Sequence, residues 1–161
     1  GYKGAHYTAE ELNEEYGKLV EAEKKATHRR HKEYEVIDIK IDKVFKKLYN
    51  QKGVKVTKAA VEQTCAVFRC FSTKYIKLYD GVIEFLDALK DNGKKIYLLS
   101  NAQRSFTANE MDMLGLTKYF DGICISSDEE CSKPDSHYFG ILFDRYGLEK
   151  KIGRASCRER V

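Results

Sequence analysis

The chain has 161 residues, of which 42% are hydrophobic and 34% are charged, with a formal net charge of +4. This length suits one ordinary domain, or a core domain with a small satellite, and the apolar content can fill a core. No apolar run approaches the length of a membrane span and no segment resembles a signal peptide, so we expect a cytoplasmic protein with no membrane partner.

The N-terminal half predicts a mostly helical region. Thr8 and Glu11 form a T-x-x-E capping box, which begins a helix with mostly charged faces. Residues 24–35 are a charge run with two histidines, for which we expect a solvated helix face rather than a metal or phosphate site. Apolar residues at helical spacing follow over 37–48, although their first members alternate as in a strand. Thr57 then caps another helix.

After Tyr79 the pattern changes to alternating helices and strands. The predicted elements are a helix from Gly81 to Asn92, a strand at 96–99, a helix at 105–114, a strand at 122–125 and a helix at 136–146. This alternation implies parallel strands joined by right-handed helical crossovers. Because two parallel strands do not make a stable sheet, we expect the fold to need further neighbouring strands.

Polar residues follow both predicted strands. Ser100 and Asn101 end the first strand, where open α/β sheets bind ligands, although such a pair is also an ordinary helix cap. Lys133 follows the second strand and precedes Pro134, the chain's only proline. The proline favours extended geometry at Lys133.

Residues 78–135 closely resemble the core of haloacid dehalogenase-like (HAD-like) hydrolases, from LYDGVIEFLDALKDNGKKIYLLSNAQ to SSDEECSKPD. The Ser100-Asn101 pair resembles the second motif of that family and Lys133 the third. The resemblance implies an α/β fold in which a partial Rossmann-like core carries an N-terminal helical cap. We therefore expect a helical cap at 1–76 and a partial core at 77–151.

The resemblance also implies a role for each motif residue. The hydroxyl of Ser100 and the backbone amide of Asn101 would donate to a phosphate oxygen at a rigid strand end. Lys133 would neutralise the substrate and the nucleophile, because charge-assisted bonds to phosphate are strong. Ser100 and Lys133 are thus the candidate catalytic residues, and both bind substrate together with Asn101.

Two family motifs have no counterpart here. The family nucleophile is an aspartate in a D-x-D motif after the first core strand, but Asp38 and Asp42 are four residues apart in a predicted helix. A last acidic motif holds Mg²⁺, whereas Asp128 and Glu129 are expected to be loop acids rather than replacement ligands. The resemblance therefore implies an internal fragment, inactive by itself, and we assign no metal ligand.

The parent protein implied by the resemblance is a Mg²⁺-dependent phosphatase that hydrolyses a small phosphorylated metabolite through an aspartyl-phosphate intermediate. Dehalogenases, phosphonatases and mutases share the fold and are not separated by these residues. Two alternatives stay open. One is a receiver-like phospho-acceptor module, and the other is a non-catalytic helical interaction protein with a degenerate core.

The cysteines and the final residues carry no predicted chemistry. The five cysteines form no C-x-x-C pair and no zinc-ligand spacing, so we expect buried small hydrophobes. Residues 152–161 closely resemble one reading frame through a widely used sequencing adapter, and we expect a non-native tail there. This tail holds a net +2 of the formal +4. A nucleic-acid partner is therefore not expected.

Overall fold

A computed structural model of the chain describes residues 4–149. The expected non-native tail at 152–161 lies outside the described residues. The described elements are α1 (Ala9–Arg30), α2 (Ile41–Gln51), α3 (Lys58–Ser72), α4 (Val82–Asp91), β1 (Tyr97–Ser100), α5 (Arg104–Met113), a 3-10 helix (Thr117–Tyr119), β2 (Gly122–Ile125), α6 (Ser126–Glu129) and α7 (Ser136–Tyr146). Across residues 4–149, no helix is both long and apolar enough to cross a membrane.

Helices α1 and α3 begin as their capping residues predict, and the first three helices pack on one another. The hydroxyl oxygen of Thr8 accepts the Glu11 amide at 3.1 Å, and that of Thr57 accepts the Ala60 amide at 3.2 Å. Helix α2 contacts both α1 and α3, and α3 also contacts α5. The apolar faces enclose one core of buried residues: Ile39, Ile41, Val44, Phe45, Leu48, Val61 and Cys65.

Helix α2 begins four residues later than the apolar spacing suggests. Ile37 instead forms an isolated antiparallel bridge with Cys131, and Ile39 lies in neither a helix nor a strand before α2 starts at Ile41. The prediction that Asp38 lies in a helix is therefore wrong, whereas Asp42 lies in the first turn of α2. Alternating isoleucines fit a strand as well as a helix, and the neighbouring backbone at Cys131 decides between them.

The charge run at 24–35 is only partly a solvated helix face. Helix α1 ends at Arg30, and His28 is exposed as expected. Arg30 and His31, however, both bind the buried carboxylate of Glu130, at 2.9 Å and 3.1 Å. The expected solvated face therefore does not include His31, whose side chain is 28% exposed, whereas Arg30 stays 42% exposed although it pairs with Glu130.

The sheet has two parallel strands within the described residues, as predicted. Its register runs from Tyr97 opposite Gly122 to Ser100 opposite Ile125, so β1 lies one residue later than expected. The hydroxyl of Tyr138 in α7 donates to the carbonyl oxygens of Ser100 and Cys124 at 2.8 and 3.0 Å. Helix α7 thereby fixes the carboxyl ends of both strands.

The architecture is α/β, with a helical N-terminal region followed by parallel strands and their connecting helices. Helix α7 has the bounds that the sequence predicts. Gly93 and Gly115 lie two residues beyond the last residues of α4 and α5, and their positive φ angles suit the predicted left-handed caps. The division into a cap at 1–76 and a core at 77–151 remains a prediction.

Substituting Gly122 by alanine should lower the free energy of unfolding by about 1 to 3 kcal/mol, as overpacking typically does. A Cβ at Gly122 would clash with the ring of Tyr146. That ring cannot easily move, because its hydroxyl accepts the Ile123 amide at 3.0 Å and the ring packs at a tilt against that of Tyr97. Urea unfolding followed by circular dichroism would measure the loss.

Gly140→Ala is the matched control for this prediction. Gly140 lies inside α7, and an added Cβ there meets no atom within 4 Å. Because alanine is the better helix former, this variant should be unchanged or more stable by up to about 1 kcal/mol. Equal losses in the two variants would contradict the proposed clash.

Candidate functional site

Ser100, Asn101 and Lys133 lie together at the carboxyl edge of the sheet. Ser100 is the last residue of β1, and Lys133 lies in the loop between α6 and α7. The side-chain amide of Asn101 donates to the Lys133 carbonyl oxygen at 3.0 Å. In return, the Lys133 backbone amide donates to the Asn101 side-chain oxygen at 2.8 Å. These two bonds hold the Lys133 loop against the end of β1.

The side chain of Asn101 is a feature that the sequence reasoning missed. The prediction used only the backbone amide of Asn101, whereas the structure uses the side chain to clamp Lys133. An Asn side chain offers one donor group and one acceptor, which match a backbone carbonyl and a backbone amide. The sequence therefore indicates that the Asn101 side chain can bind a backbone segment, but it does not indicate which segment.

The two candidate catalytic groups have no hydrogen-bonding or ionic partner within residues 4–149. Among residues 4–149, no hydrogen bond involves the Ser100 hydroxyl and no ion pair involves the Lys133 ammonium. Both residues are half-buried. The hydroxyl and the ammonium can therefore bind a ligand without first breaking a hydrogen bond or an ion pair.

Asp135 fixes the far end of the Lys133 loop. It is 1% exposed and caps α7 by accepting the His137 amide at 2.8 Å. The same side chain also accepts the Val36 amide at 3.1 Å, from the segment between α1 and α2. Burial raises the pKa of Asp135, but these amide hydrogen bonds outweigh it and hold the pKa at about 2. No role for Asp135 follows from the sequence alone.

Stability should fall as the pH is lowered from about 4.5 to 2. Burial raises the pKa of Glu130, but hydrogen bonds from Lys43 and Arg30 hold it at about 2, below the unfolded value of 4.5. The pKa of Asp135 is likewise lowered, from 3.8 to about 2. The unfolded chain thus binds more protons in this range, and each carboxylate contributes on the order of 2 kcal/mol that is lost on protonation.

Urea unfolding at several pH values would measure this dependence. Asp135→Asn should make the free energy of unfolding depend less steeply on pH between about pH 4 and 2, because one carboxylate with a lowered pKa is gone. Asp144→Asn, on the exposed side of α7, should keep the full slope. An Asp135→Asn variant with an unaltered slope would contradict the prediction.

A second polar cluster holds the segment after β1 against the helical region. Asp38 accepts hydrogen bonds from the Ser126 hydroxyl at 2.5 Å and from the side-chain amide of Gln103 at 3.2 Å. Ser126 in turn accepts the Ala102 amide at 2.8 Å, and Gln103 accepts the Ile41 amide at 2.9 Å. With these partners, Asp38 serves as a structural hydrogen-bond acceptor in this structure.

Asp128 and Glu129 lie in the short helix α6, so the expectation of loop acids is wrong. Each is paired with an arginine: Asp128 accepts Arg104 at 2.7 Å, and Glu129 binds Arg145 through two bonds of 2.7 Å. In residues 4–149, no three His, Cys, Asp or Glu side chains are grouped to hold a metal ion. Asp128 and Glu129 are thus held by arginines, and we assign neither of them a metal.

The fold and the strand-end residues define an α/β protein with a candidate ligand site at the carboxyl edge of its sheet. The family model described as haloacid dehalogenase-like hydrolase matches residues 8–152. The chain therefore belongs to the haloacid dehalogenase-like hydrolase family, which is a family of enzymes. This membership favours the hydrolase interpretation over the receiver-like module.

Several solved structures resemble the chain. A dehalogenase is 16% identical over 87% of this chain and 61% of its own, with a TM-score of 0.48. The HAD-hydrolase YfnB from Bacillus subtilis, bound to magnesium, is 22% identical over 87% of this chain and 59% of its own, with a TM-score of 0.46. The chain thus spans about three fifths of each structure. No curated protein matches it.

Proposed function

We propose that the complete protein is a phosphatase that hydrolyses a small phosphorylated metabolite. The observation that supports this proposal is the clamp between Asn101 and Lys133, with 3.0 and 2.8 Å bonds. It brings the Lys133 backbone to the end of β1, where Ser100 lies, and within residues 4–149 no ion pair involves the Lys133 ammonium. A hydroxyl, a backbone amide and a cation are the donors that suit a phosphate group.

Each residue has a distinct task in this proposal. In phosphoryl transfer the protein mainly positions the group and stabilises charge on its equatorial oxygens. The Ser100 hydroxyl and the Asn101 backbone amide donate to one phosphate oxygen from the rigid end of β1. The Lys133 ammonium neutralises charge on the phosphate and on the attacking group. Preorganised donors of this kind need no rearrangement as the reaction proceeds.

The nucleophile and the metal are parts of the proposal that residues 4–149 do not supply. We infer that an aspartate nucleophile and Mg²⁺ ligands belong to other segments of the complete protein, because Asp38, Asp128 and Glu129 are already bound by protein groups. The chain by itself should then be inactive. The proposal also includes a cytoplasmic location, and it includes neither a nucleic-acid nor a membrane partner.

Phosphate release from a panel of small phosphate esters, measured with the full-length protein and Mg²⁺, would test the proposal. We expect turnover that Ser100→Ala lowers by about 100-fold, the usual effect of losing one preorganised donor. Ser72→Ala, at the exposed end of α3, should keep full activity. Halide release from haloacids without any phosphate release would overturn the phosphatase proposal.

A further inference from the structure

The loop that carries Lys133 is bound to the helical region along its length. The segment 35–38, between α1 and α2, runs antiparallel to 130–132 through the bridge of Ile37 with Cys131. The Asp38 amide donates to the Glu130 carbonyl oxygen, and the Ser132 amide donates to the Val36 carbonyl oxygen, both at 3.0 Å. The backbone just before Lys133 is therefore paired with a segment nearly 100 residues away.

Glu130 is the charged anchor of this pairing. Its side chain is 10% exposed and accepts Lys43 at 2.6 Å, Arg30 at 2.9 Å and His31 at 3.1 Å. Its backbone has a φ of 55°, a left-handed conformation that is costly for a residue with a side chain. A buried carboxylate is also costly unless it is well paired. Three cationic or hydrogen-bonding partners, two of them on α1 and α2, offset both costs.

Glu23 lies in the same charged cluster but has different connections. Its side chain is 4% exposed and binds Lys47 at 2.6 Å, with Lys43 and Arg30 both at 3.4 Å. All of these partners lie in α1 or α2. Glu23 therefore joins two helices to each other, whereas Glu130 joins the same helices to the Lys133 loop.

We propose that Glu130 is a positioning residue for Lys133, acting through its bonds to Arg30, His31 and Lys43. The bonds fix the start of the 130–135 segment, while Asn101 and Asp135 fix its middle and end. The helical region thereby sets where the Lys133 ammonium lies. The consequence for catalysis rests on the proposed function, but the placement of Lys133 does not.

Acetylation of Lys133 by a limiting reagent, read by mass spectrometry in the full-length protein, tests this placement directly. Glu130→Gln should raise the labelling rate of Lys133 by at least about threefold, because the loop loses its anchor. Glu23→Gln is the matched control, since it removes a similarly buried charge from the same cluster. It should leave the labelling rate of Lys133 unchanged even where it lowers overall stability.

A second matched pair covers the case in which Glu130→Gln does not fold. Lys43→Met removes the shortest contact of Glu130, and Lys47→Met removes the shortest contact of Glu23. These two lysines are similarly exposed, at 38% and 41%. Only Lys43→Met should raise the labelling of Lys133.

The outcomes separate positioning from mere stability. Equal labelling changes within each pair, or no change in any variant, would overturn the proposal. In an active full-length enzyme, kcat/KM should fall more for Glu130→Gln than for Glu23→Gln. The labelling rate of Lys133 could rise only in Glu130→Gln and Lys43→Met while even the unsubstituted protein releases no phosphate. That result would support the positioning role and refute the proposed function.

Discussion

Replacing Lys133 by alanine in the full-length protein should lower kcat/KM for a phosphate ester by about 100- to 1000-fold. The lysine would supply a full positive charge at a half-buried edge, where charge-assisted bonds are roughly twice as strong as neutral ones. Removal of one preorganised group that stabilises transition-state charge typically has an effect of this size. Steady-state kinetics on a substrate identified by the ester panel would measure it.

Asn101→Ala should be the milder of the two substitutions. It keeps the backbone amide for the phosphate but loses both side-chain bonds to the Lys133 backbone. Because a small displacement of a catalytic group is costly, we expect a loss of roughly 10-fold rather than none. Asn109→Ala, at an exposed position of α5, is the control and should leave kcat/KM unchanged. Equal losses for Lys133→Ala and Asn101→Ala would contradict the assigned roles.

Residues 1–151 expressed alone should associate, bind a hydrophobic dye and hydrolyse no generic phosphate ester, even with Mg²⁺. Within residues 4–149, β1 is paired on one side only, and an unpaired strand edge invites association with other chains. Large apolar side chains are also exposed nearby in the sequence, with Phe71 at 87%, Tyr79 at 88% and Phe85 at 63%. Dye fluorescence and sedimentation would measure both effects against the full-length protein.

A compact monomer with a sharp melting transition would contradict this expectation. If that monomer also released phosphate, and Ser100→Ala abolished the activity, an acid within the chain would have to be the nucleophile. The addition of the flanking segments should instead give a compact enzyme that depends on Mg²⁺.

Local signals in the sequence predict where several helices and both strands of this protein lie. Capping residues such as Thr8 and Thr57 and the apolar spacing of α7 act over one or two helical turns, so a single sequence reveals them. The strand ends also follow from short apolar runs. The positions of Ser100 and Lys133 at one sheet edge were therefore predictable, because the carboxyl ends of parallel strands share an edge.

Only the tertiary structure decided the contacts between distant segments. Arg30 and Glu130 are 100 residues apart, and a charged residue on a helix resembles a solvated one until its partner is known. The same holds for the Asn101 side chain, which binds a backbone segment 32 residues away. Asp38 lies outside the helix predicted for it because the backbone at 130–132 pairs with its neighbours. Such pairing depends on which segments meet in space, and the periodicity of a short segment does not predict its partner.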